Sequence, residues 1–580
     1  MAQRTKQNFL HGALILVVGT IIVKIIGAVY KIPITNLLGG TGFGYFNTAY
    51  NLFNPIYALA VAGLPVAVAR MVSENMAKKR YRDIRRIMGI SSSLFFVTGS
   101  IGLIIMLLGS NLFVKMVGNQ EALISVLVMA PSVFFCCSMS AYRGYYEGMR
   151  NMYPTAISQI IEAIAKLVFG VALAYLMIHI GLNQYETTKM VFGKAVSSLE
   201  EAKQAVLPYA SAGAIGGVTL STFVGALYLW IRHRIRGDGI SKEEMRASPA
   251  PRSSKALTRQ LIRIAIPVCL GALVLNLTSL IDLTTLMNRM QTAMGRNSAE
   301  FLKMYQGLIP AGMEQSRIPN YLYGSYNAAL TIFNLVPAIT TTFGVSALPN
   351  VASAWAVRNL QATKRNVESV LRVTSLIAVP AGLALFALSG PILNLLFPSR
   401  PQEAAIAAPM LQVLGIAVIF VSMATPINSI LQAIGQEKLP VRFMLVGGSL
   451  KLIINFIFVA IPSINIHSAP YGTVVCYAFI VVAALIALSK STGIRINFLS
   501  VFIKPLVAGG LCAASAWVSH SLLGKVIGSP SIVTVLAILI GVCVYALAIL
   551  LIRGIARDDV VMLPKGEKIA KILEKRGLIG

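Results

Sequence analysis

The chain has 580 residues, of which 56% are hydrophobic and only 12% charged, with a mean hydropathy of +0.74. Soluble domains carry about one-quarter charged residues, so this composition excludes an ordinary soluble protein and points to a polytopic membrane protein built from apolar helices of about 20 residues. The net charge of +29 is no sign of nucleic-acid binding, because Lys and Arg cluster between apolar runs on one side, as positive-inside topology requires.

Windows of that length predict about fourteen spans. The first six run from Phe9 to Leu37, Tyr45 to Val72, Ile87 to Leu112, Ala122 to Tyr146, Pro154 to Ile180 and Ala205 to Trp230. A second set runs from Leu261 to Leu286, Tyr321 to Leu348, Val367 to Phe397, Ala404 to Gln432, Leu439 to Ile461 and Ala469 to Leu488, and two more follow, Val501 to Leu523 and Ile532 to Ile552. Landmarks recur about 285 residues apart: Leu64-Pro65 as Leu348-Pro349, Gly148 as Gly435, Pro154 as Pro440 and Lys166 as Lys451. A duplicated bundle is a transporter architecture, with substrate bound near mid-membrane between the repeats.

The predicted organisation is an N-terminal lobe over residues 1–232, a basic cytoplasmic linker over 233–258, a C-terminal lobe over 259–490, a final helix pair over 491–553 and a cytoplasmic tail over 554–580. Basic clusters such as Lys78 to Arg86 place both termini in the cytoplasm. The outer stretch Gly181 to Lys203 fits a short surface helix, and Asn288 to Asn320 fits either a cap on the external mouth or a surface insertion. All six cysteines fall in apolar spans and read as small buried hydrophobes.

Charges inside spans are costly, from about 2.5 to above 10 kcal/mol each at the bilayer centre, and therefore informative. Lys24 and Lys31 lie seven residues apart on one face of the first span. Glu162 and Lys166 stand at i and i+4 in the fifth, the spacing of an intrahelical ion pair. Lys451 has Gly447 in place of an acid four residues earlier, so its expected partner is Asp282 of the seventh span; Arg289 follows Asp282 by one heptad. The sequence contains no H-E-x-x-H, P-loop or G-x-S-x-G motif. It reads as a secondary-type transporter with no cofactor, drawing on the membrane potential or an ion gradient, with Na+ and H+ both open.

Tyr142-Arg143-Gly144-Tyr145-Tyr146-Glu147-Gly148, continuing through Met152-Tyr153-Pro154 to Glu162, resembles the fourth-to-fifth helix junction of the MurJ-type lipid II flippases and their sporulation relatives. These are polysaccharide flippases of the multidrug/oligosaccharidyl-lipid/polysaccharide exporter superfamily. Gly63-Leu64-Pro65 before a basic loop and Ile430-Leu431-Gln432-Ala433-Ile434-Gly435 in the second repeat support the resemblance, which covers the whole chain. It implies an all-α fold of two six-helix lobes in a V, a cationic central cavity, and helices 13 and 14 forming a groove for a polyprenyl tail. Lys24 matches a cavity-lining basic position; the next cavity arginine of Gram-negative members falls at Tyr30, which leaves Lys31 and Arg289 as candidates to hold a diphosphate. Asp282 is similar to a sodium ligand of some members, although Lys451 would place an ammonium there. The implied function is translocation of an undecaprenyl-diphosphate-linked saccharide, lipid II first, across a bacterial plasma membrane, with capsule, teichoic and spore-cortex precursors as alternatives. Anionic lipids and cell-wall synthesis enzymes are the implied partners. A drug/cation antiporter and a non-transporting scaffold for cell-wall enzymes are the competing readings.

Overall fold

The computed structural model describes residues 9–61, 64–310, 312–436, 438–556, 559 and 574. Apart from one two-stranded hairpin, the regular structure among these residues is all helix, and the apolar spans fall on helices. Eleven helices among the described residues are long and apolar enough to cross a membrane. Their outward faces are hydrophobic, with Leu108 at 79% exposure and Leu551 at 78%. That inverted surface is the mark of a chain solvated by lipid tails.

The chain divides into two compact units. The first comprises Met1–Asn288 with Gly312–Gly324. It contains α1 (Phe9–Val61), α2 (Leu64–Ala77), α3 (Tyr81–Val117), α4 (Leu123–Gly148), α5 (Tyr153–Thr188), α6 (Leu199–Arg236), the short α7 (Lys242–Ala247) and most of α8 (Ser254–Arg296). Helix α1 is 53 residues long, about 80 Å if straight, far beyond one crossing. Gly39 breaks it, with φ 63° and ψ −177°, a conformation open to glycine and closed to residues with a Cβ. The first two spans are therefore two helices joined at Gly39. The division between units falls after Asn288, beyond the linker, so the seventh span lies in the first unit by contact.

Glycines set the packing of the first unit. A Cβ at Gly217 of α6 would collide with the backbone of Gly170 on α5, and one at Gly144 would sit 2.6 Å from the Pro65 carbonyl oxygen on α2. Gly148, one turn on, meets the Ala69 carbonyl and Val72 of the same helix. Arg143-Gly144-x-x-x-Gly148 thus presses α4 onto α2 through a small-xxx-small face. Pro154 opens α5 at a position where its missing N–H costs nothing.

No surface helix forms over Gly181 to Lys203. Helix α5 runs on to Thr188 and is followed by the hairpin β1 (Met190–Val191) and β2 (Lys194–Ala195). Phe192 and Gly193 both take positive φ at its tip, the two-residue turn that matches strand twist, and the Phe192 ring stacks on Tyr209 at 4.1 Å.

The second unit comprises Arg289–Ala311 and Ser325–Gly580. Its helices are α9 (Ser298–Lys303), α10 (Ile318–Phe333, whose start belongs to the first unit), α11 (Leu335–Ala356), α12 (Leu360–Ala387), α13 (Ser389–Leu396), α14 (Pro401–Ala433), α15 (Lys438–Phe458), α16 (Ala469–Thr492), α17 (Lys504–Leu523) and α18 (Pro530–Leu551). Its core packs Val367 and Leu371 of α12 against Ile427 and Leu431 of α14 and Ile480 of α16. Cys543 of α18 is exposed, unlike the other five cysteines; it shares an apolar outer face with Leu539 and Leu547.

Candidate functional site: in-span cations of the first unit

The fifth span carries Glu162 and Lys166, and the structure gives them different partners. Arg143 donates from Nη2 to Glu162 at 2.9 Å and from Nε to Ser158 Oγ at 3.0 Å. No Glu162–Lys166 ion pair forms. The planar guanidinium of the neighbouring helix offers several donors in a fixed fork, so it holds the carboxylate and the serine one turn earlier together. Arg143 pins α4 to α5 across the loop that separates them.

Lys166 is left among phenols. Its Nζ donates to Tyr50 Oη at 2.7 Å and lies 5.0 Å from the Tyr30 ring centre and 5.1 Å from that of Tyr50. Among the described residues no carboxylate comes within ion-pairing distance of it. An ammonium set near two aromatic faces keeps part of its solvation through cation–π attraction, and Glu162, one turn earlier on α5, acts on it only through space.

Tyr30 and Tyr50 belong to the two halves of α1. Tyr30 is 1% exposed, seated where Gly170 leaves room on α5, and its hydroxyl donates to the Ala214 carbonyl at 3.4 Å. Tyr50 belongs to an aromatic stripe with Phe46, Phe53 and Tyr57, neighbouring rings lying 5.0 to 6.3 Å apart. Lys31, next to Tyr30, is half-buried, within electrostatic reach of Lys166, and has no carboxylate partner among the described residues. Lys24, two turns earlier on α1, is exposed. The structure thus brings Lys31 and Lys166 within electrostatic reach of one another beside two tyrosines.

The remaining candidates lie elsewhere. Arg289 belongs to the second unit, with its guanidinium 3.7 Å from the centre of the Phe456 ring of α15. Asp282, half-buried on α8, belongs to the first unit, and Lys451, half-buried on α15, to the second. The Lys451 stem packs by Gly472 of α16. Of the outer segment Asn288 to Asn320, residues from Gly312 onward join the first unit. There Arg317 pairs with Glu121, which also accepts from Tyr45, while Asn320 accepts from Asn119 and donates to the Thr41 carbonyl.

Sequence reasoning passed over Tyr50, Arg372 and Asp559. Arg372 of α12 is 9% exposed at the side chain and grips Asp559 through Nε and Nη2, with Ser369 donating to the same carboxylate at 2.7 Å. A lone arginine inside the ninth span was the available signal.

The profile of polysaccharide biosynthesis proteins matches residues 9–197, and the MatE profile matches residues 317–457. The lipid II flippase MurJ of Bacillus subtilis (strain 168) is 24% identical over 83% of this chain and 81% of its own length. Stage V sporulation protein B of the same organism is 21% identical, over 85% and 86%. A solved MurJ in an inward closed conformation superimposes with a TM-score of 0.62 at 12% identity, over 92% of this chain and 98% of that one. The chain is thus similar over most of its length to polysaccharide-biosynthesis and MatE-type membrane proteins. Its fold is that of the solved MurJ, an all-α, multi-pass membrane protein. The Arg143-to-Gly148 motif then has two jobs in packing: Gly144 and Gly148 seat α4 on α2, and Arg143 pairs with Glu162 of α5.

Proposed function

We propose that this chain is a flippase that moves an undecaprenyl-diphosphate-linked saccharide, lipid II in the first instance, from the inner to the outer leaflet of a bacterial plasma membrane by alternating access. The observation that carries the reading is the cluster of Lys166 and Lys31, two half-buried cations beside tyrosines with no carboxylate of the described residues within ion-pairing distance. A diphosphate is the anion such a site suits, because each charge-assisted N–H···O bond recovers desolvation that neither group recovers alone. The polar head cannot cross hydrocarbon unaided, whereas a polyprenyl tail can remain in lipid.

The membrane potential supplies direction. With the interior negative, each negative charge carried outward gains about 2.3 kcal/mol per 100 mV, and the emptied cationic site is drawn back inward. Lys24, exposed on α1, serves as the first contact, and Arg289 is the candidate cation of the second unit.

The test is replacement of the essential lipid II flippase of a host cell by this chain, with Lys166→Gln and Lys31→Gln beside it. Growth with the unsubstituted chain and loss of growth in both well-expressed variants is the expected result. Rescue that survives the double substitution would sink the cationic site. Failure of the unsubstituted chain, with restored export of a capsule, teichoic or spore-cortex precursor in the matching host, would reassign the substrate; the match to a sporulation protein is the observation that favours this second reading.

A further inference from the structure

A groove on the outer surface of the first unit is independent of that site. It runs between α3, α4 and α6 and encloses about 320 Å³, room for about ten groups of water or methylene size. The sequence makes it by placing small residues where the three helices face one another, Ser92, Ser138, Ala141 and Ala226, and rings along the edges, among them Phe96 and Phe223. Phe135 bridges the floor, with its ring centre 5.2 Å from that of Phe223. Phe96 and Phe223 are 59% and 42% exposed. In a bilayer such a slot is filled by a hydrocarbon chain.

One end of the groove is not apolar. Trp230 lines it, and the guanidinium of Arg234, one turn further along α6, lies 5.6 Å from the Trp230 ring centre. Arg234 is exposed and has no carboxylate partner among the described residues. The acids beside the end of α6 are committed elsewhere: Asp238 accepts from Arg85 at 2.9 Å, and Asp83 from Arg80 and Arg252. Trp followed by Arg is the side-chain order of a membrane–water interface, with the indole at headgroup level and the cation at the phosphates.

We infer that this groove holds one acyl chain of an anionic phospholipid from the arginine-rich leaflet, with its phosphate on Arg234. A zwitterionic lipid fills the slot equally well by its tail but brings no net charge to the guanidinium. The groove therefore selects by headgroup at its mouth.

The chain has three tryptophans, so Trp355→Phe with Trp517→Phe leaves Trp230 as the single reporter. The full-length protein carrying both changes is reconstituted in bilayers doped with brominated phosphatidylglycerol or brominated phosphatidylcholine, and Trp230 quenching is titrated. The expected result is an apparent association about fivefold stronger for the anionic lipid, the size of effect one interfacial cation supplies. Arg234→Gln is expected to bring the ratio to one, while the exposed neighbour change Arg236→Gln leaves it unchanged. Ala226→Leu, which fills the slot, is expected to weaken quenching by both lipids. Equal quenching by the two lipids before any change at Arg234, or an unchanged preference after Arg234→Gln, overturns the assignment. The Arg234 arm is a surface substitution, so it decides the assignment even if Ala226→Leu does not fold.

Discussion

The two halves keep the same landmarks and hold themselves together differently. Arg143 and Glu162, paired in the first half, correspond at the repeat offset to Ile430 and Gly447 in the second. Ile430 is 1% exposed in the core of its unit, and a Cβ on Gly447 would touch the Cys476 carbonyl and Ile480. An ion pair has been exchanged whole for apolar contact. Losing one partner alone would strand a partly buried charge, whereas replacing both by packed apolar groups is close to neutral. The lysine that follows, Lys166 or Lys451, is retained in both halves, which separates it from the scaffold. Each half also has an aspartate clasped by an arginine distant in sequence, Asp238 by Arg85 of α3 and Asp559 by Arg372 of α12. The first clasp is half in water; the second is buried.

That contrast predicts the largest effect at the buried clasp. Arg372→Ala leaves the Asp559 carboxylate without its fork, and unfolding in nanodiscs is expected to show a loss of about 3–5 kcal/mol. Arg143→Ala, at a pair that is 16% and 27% exposed, should lose about 1.5–3 kcal/mol. Equal losses would mean that burial does not distinguish the two halves.

The retained lysines sharpen the comparison next. Lys166→Gln is expected to slow substrate translocation roughly 10- to 100-fold, the worth of a hydrogen bond to a charged group, with folding intact. Tyr50→Phe keeps the aromatic face and removes the acceptor of the 2.7 Å bond, so its effect should be smaller, about tenfold or less. Lys451→Gln is the matched variant. If it slows translocation as much as Lys166→Gln in a fluorescent-lipid flipping assay, the halves contribute equally and the first-unit site is not special.

Landmark glycines of the two halves should fail for different reasons. A methyl at Gly144 meets backbone, 2.6 Å from the Pro65 carbonyl oxygen, and overpacking of this kind costs about 1–3 kcal/mol. Gly435, partner of Gly148, has open space around it but φ +84°, so Gly435→Ala costs about 1–2 kcal/mol through the backbone. Asparagine tolerates that region. Gly435→Asn should therefore recover most of the loss seen by thermal unfolding, and Gly144→Asn should recover none. Recovery at both would show that neither position is set by close packing.

The span order was legible because twenty consecutive apolar residues have few alternatives in a bilayer, and the in-span lysines were legible because their cost marks them. Their partners were not. The i,i+4 rule pairs Glu162 with Lys166, but it ranks only neighbours on one helix, and the fork of Arg143 from α4 outcompetes a flexible ammonium on the same turn. Tyr50 lies 116 positions from Lys166 and Asp559 lies 187 from Arg372, distances over which residue type carries no register. The break between the first two spans was legible between Leu37 and Tyr45, but composition alone does not say which glycine of Gly39-Gly40 takes positive φ.

The smallest effect is expected at the exposed clasp, and its sign in pH is fixed. Burial raises the Asp238 carboxyl, but hydrogen bonds from Arg85 and from the Ile240 amide outweigh it and hold the group below its ordinary value. A carboxyl lower in the folded than in the unfolded chain adds stability above the unfolded value, about pH 4, and that stability is lost as pH falls through the folded value. Arg85 is 50% exposed, so the contribution is at most about 1 kcal/mol. Asp238→Asn should thus lower the melting temperature slightly at pH 7, with the difference from the unsubstituted chain shrinking below about pH 4. The clasp joins the residues after α6 to α3, and Tyr145 of α4 also donates to Asp238 at 3.2 Å. Protease cleavage within residues 237–253 is expected to quicken in the same variant. A difference that stays constant from pH 7 down to pH 3 would show that Asp238 acts by shape alone, and the parallel between the two clasps would fail.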